Sequence, residues 1–334
     1  MLPFVSLIIP TLNEEKYLDQ TITSLLSNDY PDNKLEILII DGLSTDNTLE
    51  IAKEFASKFT NIRLISNPKI YQSAALNIGI KESKGDFIIR ADAHAIYDKN
   101  YIISTIQLLQ KSVYENVGPV QISIGGTLLE NAIAKAMNSK IGMGNAQYRL
   151  DKRRVFEVKS VWLGAWKKET LIKINGFDEN LPISEDFDLN YRLRKSGGKI
   201  AASNSIKAMY IVRKSLSGLF KQFYKYGFWK MKFLMKYPKE FQPRWMAPPV
   251  FVLLLLLSSI LLSQLIFWVI FIPIFYLFLL FLTTLYFMAI ANSIKDFLSS
   301  GILFLIFPVI HIAWGIGFLI GFFYWNCKKI YQNI

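Results

Sequence analysis

Gly85-Asp86-Phe87-Ile88-Ile89-Arg90-Ala91-Asp92-Ala93-His94 sets a short apolar run against a carboxylate and an imidazole two residues apart. Phe87 to Ile89 has the length and branching of a buried strand. At an extended strand end, residues i and i+2 point the same way. Asp92 and His94 are therefore placed to share one divalent cation, the carboxylate suiting Mg²⁺ or Mn²⁺ and the imidazole favouring Mn²⁺. Taken alone, the same two residues would serve equally well as a helix cap and an ordinary surface histidine.

Towards the amino end the pattern repeats. Val5 to Pro10, Leu35 to Ile40, Asn61 to Ser66 and Asp86 to Arg90 read as strands. Between them lie helices running from Thr11-Leu12-Asn13-Glu14-Glu15 to about Asn28, from the start signal Ser44-Thr45-Asp46, and from Ser73 to Lys84. This alternation specifies an α/β domain, a parallel sheet with helices on its faces. In such sheets ligands sit beyond the carboxyl ends of the strands. That rule selects Thr11, Asn13, Glu14, Asp41, Arg90 and Asp92 as the walls of one crevice. No Gly-x-Gly-x-x-Gly follows the first strand and no Gly-Lys-Ser/Thr loop is present, which argues against a dinucleotide reductase and a P-loop enzyme. A crevice rich in carboxylates suits a metal-bridged diphosphate, although Thr11 and Asn13 would also serve simply as helix caps.

After Tyr101 the pattern loosens through Val117-Gly118-Pro119-Val120, a helix near Leu128 to Ser139, and the basic Lys152-Arg153-Arg154, a solvated loop or a contact to substrate phosphate. Ser184-Glu185-Asp186-Phe187-Asp188 then opens a helix, with Ser184 as N-cap, that Gly197-Gly198 closes. Carboxylates at a helix start complement its dipole. Their alternative use is as a general base that removes a proton from an attacking hydroxyl. Mutual repulsion of Glu185 and Asp186 would raise one pKa, while the helix terminus and a nearby cation would lower it.

Pro10-Thr11-Leu12-Asn13-Glu14, Ile40-Asp41-Gly42-Leu43-Ser44-Thr45-Asp46, Asn77-Ile78-Gly79, Asp92-Ala93-His94, Asn175-Gly176-Phe177-Asp178-Glu179 and Glu185-Asp186 resemble, in this order, the motifs of family-2 glycosyltransferases of GT-A fold. The resemblance covers roughly residues 4 to 200. Gly142-Met143-Gly144-Asn145-Ala146-Gln147-Tyr148-Arg149 and the hydrophobic tail are similar to bacterial exopolysaccharide transferases of the succinoglycan-biosynthesis type. The resemblance implies a Rossmann-like nucleotide-sugar-binding domain and an inverting transfer of one sugar from a nucleotide-diphosphate sugar, commonly a UDP-sugar. The implied donor site is Pro10, Thr11, Asn13, Glu14, Asp41, Asn77, Arg90 and Asp92. Within it Asp41 contacts the nucleoside, Asp92 with His94 holds the metal-diphosphate, and Asp186, beside Glu185, is the base. A divalent cation, Mn²⁺ or Mg²⁺, would offset charge on the leaving group. Most of the family has a second Asp where this chain has His94. Processive synthases carry Gln-x-x-Arg-Trp, whereas this chain offers Gln222-Phe223-Tyr224-Lys225-Tyr226, so a single-sugar transfer is expected.

Composition supplies the setting. The chain has 334 residues, is 52% hydrophobic and carries a net charge of +12. It divides into residues 1–206 for the transferase domain, 207–246 for a basic aromatic segment, and 247–334 for a membrane region. Between Arg244 and Lys295 there is no charged residue or histidine. At ~1.5 Å per residue that stretch is roughly twice a ~30 Å bilayer core. Spans are expected near 248–268, 271–291 and 301–325. Gly317 and Gly321 form a small-xxx-small pair for helix packing within or between chains. His311, inside the last span, is a functional candidate or a packing residue.

From Lys207 to Arg244 basic residues face a single acid, Glu240, and interleave with Phe220, Tyr224, Trp229 and Phe233. This is an interfacial amphipathic pattern, with membrane lipids as partner and no nucleic acid. The positive-inside rule places this end in the cytoplasm, at the cell's inner (plasma) membrane. Three crossings would then leave Lys328-Lys329 outside. No signal-peptide pattern precedes Val5, and the single cysteine, Cys327, excludes an intramolecular disulfide.

The acceptor this implies is a polyprenyl-linked saccharide. A bare polyprenyl phosphate, as in dolichyl-phosphate mannose synthase-like proteins, and a catalytically silent scaffold of an export complex are the alternatives. A phosphate acceptor has little need of a base, so Glu185-Asp186 favours the saccharide.

Overall fold

The computed structural model describes residues 2–144, 153–263 and 270–332. Asn145 to Arg149, Lys152 and the end of the first expected span, Trp268 included, lie outside the described residues. The chain divides into two compact units, Met1–Ile122 with Gln147–Ile211, and Ser123–Ala146 with Val212–Ile334.

The strands are β1 (Val5–Thr11), β2 (Leu35–Asp41), β3 (Ile62–Ser66), β4 (Phe87–Arg90), β5 (Ala95–Tyr97), β6 (Tyr114–Pro119), β7 (Ile122–Ile124), β8 (Val155–Glu157), β9 (Ala165–Lys167), β10 (Lys199–Ser203) and β11 (Ala208–Ile211). The main sheet of the first unit has the order β3-β2-β1-β4-β9-β6-β10-β8. Its first four strands run parallel, as the alternation of strand and helix requires.

Their residues are buried on both faces. Leu7, Ile9, Ile37 and Ile39 pack with Leu18, Ile22 and Leu25 on one side. Ile8, Leu38, Ile40 and Ile88 pack with Ala75, Leu76 and Ile80 on the other. This explains why the runs read as continuously apolar rather than alternating. Gly79 permits the close approach of its helix to β1, since a Cβ there would lie 2.5 Å from the Ile8 side chain.

The second half of the sheet departs from the expected parallel pattern. β9 is antiparallel to β4 and β6, and β8 is antiparallel to β10. β9 is three residues long, too short to register as a strand by periodicity. A helix over Tyr101–Lys111 fills the stretch read as loose, burying Ile102, Ile106 and Leu109. The helix expected from Thr11 begins only at Leu18, so Thr11 and Asn13 are not its caps.

In the second unit, Thr127 and Glu130 form a capping box on the helix Leu128–Met137. The basic aromatic segment is the helix Leu216–Lys236. Three stretches, Pro243–Leu261, Phe271–Ala289 and Leu303–Lys328, are long and apolar enough to cross a membrane. Gly317 and Gly321 pack within the chain, their α-carbons facing the backbone of Tyr224 and Phe228 on the basic helix. His311 hydrogen-bonds Tyr276 Oη (3.0 Å) and the Ile141 carbonyl (2.9 Å).

Candidate active site

β4 delivers Arg90 to the centre of the first unit. Arg90 is 8% exposed; its Nε donates to Asp92 Oδ1 (3.0 Å) and its Nη1 to Glu185 Oε1 (2.8 Å). Gln72, its amide oriented by this network, accepts from Arg90 Nη2 (2.9 Å) and donates to Glu185 Oε1 (3.2 Å). Trp162 Nε1 donates to Asp92 Oδ2 (2.8 Å). Tyr97 Oη accepts from the Asp92 backbone N–H (2.8 Å) and donates to the Asp92 carbonyl (3.1 Å). A buried cation is thus matched by two buried carboxylates, each with one further donor, Trp162 for Asp92 and Gln72 for Glu185.

The charges follow from these contacts. Burial would raise the Asp92 carboxyl, but Arg90, His94 and the donors Trp162 and Arg90 outweigh it and hold it below the usual range. Burial also opposes the Arg90 charge, yet Asp92, Glu185 and Asp186 raise its pKa further. Glu185 goes the other way. Burial, with repulsion from Asp186, pushes it up to about 7 against the pull of Arg90.

Asp186, next in sequence, is only half-buried. Among the described residues it accepts one hydrogen bond, from the Phe187 backbone N–H (2.8 Å). The two adjacent carboxylates therefore occupy different environments, the arrangement that separates a structural or acid role from a base. Ser184 stands at the expected N-cap position, but in the left-handed region, at φ 70°, and its side chain makes no cap hydrogen bond.

The loops after β1 and β2 brace each other. Asp41 accepts from the Ser44 backbone N–H (3.1 Å) and hydroxyl (2.6 Å). Asn13 Oδ1 accepts from Thr45 N (2.8 Å), and Glu14 N donates to Thr48 Oγ1 (2.7 Å). Thr11 Oγ1 turns back to the Ile40 carbonyl (3.3 Å), which Pro10 faces across the β1–β2 pair. Gly42 is required there, because a Cβ would lie 2.9 Å from the Ile70 carbonyl oxygen. Asn13, Leu43, Ile70, Leu163 and Ser184 all have positive φ. Such strain in non-glycine residues persists only where surrounding contacts enforce it, and it clusters at functional loops.

Asn77, expected at the donor, hydrogen-bonds the Asn175–Glu179 turn. Its amide donates to the Phe177 carbonyl (2.9 Å) and Glu179 Oε1 (3.0 Å) and accepts from Phe177 N (2.8 Å). From the other side Arg192 holds the carbonyls of Ile174 and Gly176 while pairing with Asp188. This brace seats the helix that carries Glu185 and Asp186.

Asp92 and His94 do not bond each other. His94 Nδ1 faces Glu14 Oε1 at 2.9 Å. An imidazole held by a carboxylate on one nitrogen presents the other in a fixed direction, as metal-binding histidines do. Each Asp92 oxygen also keeps a further acceptor direction. The donor types fit a Mn²⁺ site. Among the described residues no group of three or more His, Cys, Asp and Glu gathers as a ready-made cage, so the remaining ligands would be diphosphate oxygens and water. Trp162, Gln72 and Tyr97 complete the candidate site; the first lies in a stretch that stands out in the sequence without a role assigned to it, and the other two were not singled out. The aromatic run Trp162-Leu163-Gly164-Ala165-Trp166 was the available signal for the first.

Residues 6–165 match glycosyl transferase family 2. The chain is 35% identical over 274 residues to the dolichyl N-acetyl-alpha-D-glucosaminyl phosphate 3-beta-D-2,3-diacetamido-2,3-dideoxy-beta-D-glucuronosyltransferase of Methanococcus voltae, covering 79% of this chain and 83% of that protein. This chain belongs to glycosyltransferase family 2. The transferase is also 30% identical over 242 residues to the succinoglycan biosynthesis protein ExoA of Rhizobium meliloti, covering 69% of this chain and 70% of that one. Its fold resembles the mannosyltransferase PcManGT of Pyrobaculum calidifontis, solved with GDP-Man and Mn²⁺, at a TM-score of 0.54 and 17% identity, over 72% of this chain and 66% of that one. The GT-A fold expected from the motifs is therefore the observed one, and the chain is a transferase rather than a silent scaffold.

Proposed function

We propose that the transferase moves one sugar from a nucleotide-diphosphate sugar, a UDP-sugar first among candidates, to a lipid-linked saccharide at the membrane, with inversion at the anomeric carbon. The observation that carries this reading is the division of labour between Glu185 and Asp186. Glu185 is consumed in tying Arg90, whereas Asp186 keeps one carboxylate oxygen clear of recorded partners among the described residues. A base is needed when the acceptor is a sugar hydroxyl and not when it is a phosphate. The curated names of the Methanococcus and Rhizobium relatives, which concern a dolichyl-linked saccharide and succinoglycan, support that acceptor class.

In this mechanism the Asp41 loop receives the nucleoside and Arg90 fixes Asp92 towards the diphosphate. A divalent cation held by Asp92 and His94, when bound, supplies charge neutralisation for the leaving group. Phe187 N–H holds Asp186 Oδ1 while Oδ2 accepts the acceptor's proton, so the hydroxyl oxygen attacks the anomeric carbon as the sugar–diphosphate bond breaks. In this reading the reaction takes place at the inner membrane with the catalytic unit on the cytoplasmic side, which the apolar helices and the basic cluster before Arg244 support.

The test is release of nucleoside diphosphate from a panel of nucleotide sugars in membranes, with and without Mn²⁺, for the native chain and Asp186→Asn. Turnover dependent on a lipid-saccharide and lost in Asp186→Asn is the expected result. Full activity of the variant, or turnover with polyprenyl phosphate alone, would overturn the reading.

A further inference from the structure

We propose that the third long apolar helix, Leu303–Gln332, does not cross the bilayer. It lies in the surface layer beside the basic helix Leu216–Lys236, with lipid as its partner. The chain then crosses twice, and Lys328 returns to the side from which the chain enters at Arg244. Contacts along the length of this helix carry the proposal.

At its start, Ser300 Oγ donates to the Phe287 carbonyl (3.2 Å) and Gly301 lies beside Met288. These residues end the second apolar helix, Phe271–Ala289, where a crossing chain re-emerges. Near its middle, His311 Nε2 meets the Ile141 carbonyl (2.9 Å), which brings the four-residue helix Lys140–Met143, with Lys140 exposed, against what would be the bilayer centre. So short a helix leaves most of its backbone groups without intrahelical partners, and neither these nor the Lys140 cation is tolerated in contact with hydrocarbon.

Just beyond, Trp314 Nε1 donates to the Trp245 carbonyl (3.4 Å), and a Cβ on Gly315 would lie 2.6 Å from the Pro248 carbonyl oxygen. Trp245 to Pro248 is where the first apolar helix begins, directly after Arg244. Residues 301 and 315 thus each abut a point where the chain meets the membrane surface.

The last third settles against the basic helix. Gly227, Gly317 and Gly321 let the two backbones touch, which carries Lys221 and Lys225, both exposed, alongside. Lys232 Nζ lies 4.6 Å from the Trp325 ring centroid and 5.2 Å from that of Trp229, and Lys328 Nζ 5.7 Å from Trp325. Interleaved lysine and tryptophan belong at the headgroup level. A crossing helix would instead drag Lys221 and Lys225, on the turns that pack level with Trp314 to Phe318, towards mid-bilayer, where cations are strongly disfavoured. The apolar residues left outward, Leu305, Ile320 and Phe323, together with Ile294, Phe297 and Leu298 of the neighbouring helix Ile294–Gly301, face the acyl chains. Two crossings also remove the conflict with the charge rule, because Lys328 joins the cluster that precedes Arg244.

Cys327, the sole cysteine, is exposed at the decisive end. A membrane-impermeant maleimide is applied to cells expressing the full chain, before and after permeabilisation. Ser217→Cys in a Cys327→Ser background is the reference ahead of the first crossing. Modification of both from the same side is expected; modification from opposite sides overturns the proposal. Fluorescent-protein and alkaline-phosphatase fusions at the two termini give a second readout. Both termini on one side is the supporting outcome, and termini on opposite sides would restore three crossings.

Discussion

Arg90 Nη1 donates to Glu185 Oε1 at 2.8 Å, joining the end of a strand to the first turn of a helix 95 residues later. This tie engages Glu185 and not Asp186, the difference on which the proposed base rests. Glu185 is turned into the protein by the tie, and Asp186 is left at its edge. The charge that Arg90 places beside Asp92 also makes the site a unit, in which no member is replaceable without exposing another.

Asp186→Asn is expected to lower kcat by about 10²–10⁴ while leaving the donor KM close to that of the native chain. Glu185→Gln should retain measurable turnover, because glutamine can still accept from Arg90. Steady-state kinetics on both variants checks the assignment; equal losses would mean that the pair acts as one group.

Arg90→Met removes the one cation that, among the described residues, pairs with both Asp92 and Glu185, and leaves two buried carboxylates without it. The expected loss of stability is about 3–5 kcal/mol, measured by denaturant titration of the detergent-solubilised chain. A loss below about 1 kcal/mol would show that the network is not buried as described.

Glu185 sets a pH dependence with a definite sign. Its folded pKa, about 7, lies above its ordinary 4.5. A carboxyl raised by folding favours the folded state when protonated, so its contribution is fully present below about 4.5 and is lost as pH rises through about 7. Asp92 is lowered instead, and its contribution is lost only in acid. Between pH 5 and 8 the native chain should therefore lose stability relative to Glu185→Gln, on the order of 1–3 kcal/mol. Thermal unfolding of both proteins across that range gives the difference curve, and a flat difference would remove Glu185 as the titrating group.

His94→Asp is expected to raise activity with Mg²⁺ relative to Mn²⁺ several-fold, since an all-oxygen donor set suits the harder ion. Chelation should abolish native turnover, and readded Mn²⁺ should restore it better than Mg²⁺. An unchanged metal ratio in the variant would detach His94 from the cation. The Glu14–His94 hydrogen bond would then be only a brace between two loops.

The parallel half of the sheet was legible because strands buried on both faces leave continuous apolar runs, and each ends on a polar residue that the topology must gather on one edge. Thr11, Asn13, Asp41, Arg90 and Asp92 were selected as candidates this way, and the structure puts each at or just beyond a strand's carboxyl end. The antiparallel half was not legible, because β8 and β9 are three residues each and their pairing is set by partners far along the chain. The bonds of the Asn77 amide to Phe177 and Glu179, about 100 residues away in the chain, are likewise a use that no local pattern announces.

The amino-acid sequence by itself determined the fold class and the presence of long apolar helices, and it supplied the candidate sheet edge and the candidate pair Glu185-Asp186. These depend on periodicity, composition and neighbours in the chain, which are local properties. Only the tertiary structure decided that Glu185 is tied and Asp186 is not. It alone brings Trp162 and Gln72 to the network, and it turns Gly317 and Gly321 to the basic helix of the same chain. Hydrogen bonds and close packing join residues by distance in space, and burial, which sets the charge of each carboxyl, exists only once the whole chain has closed around it.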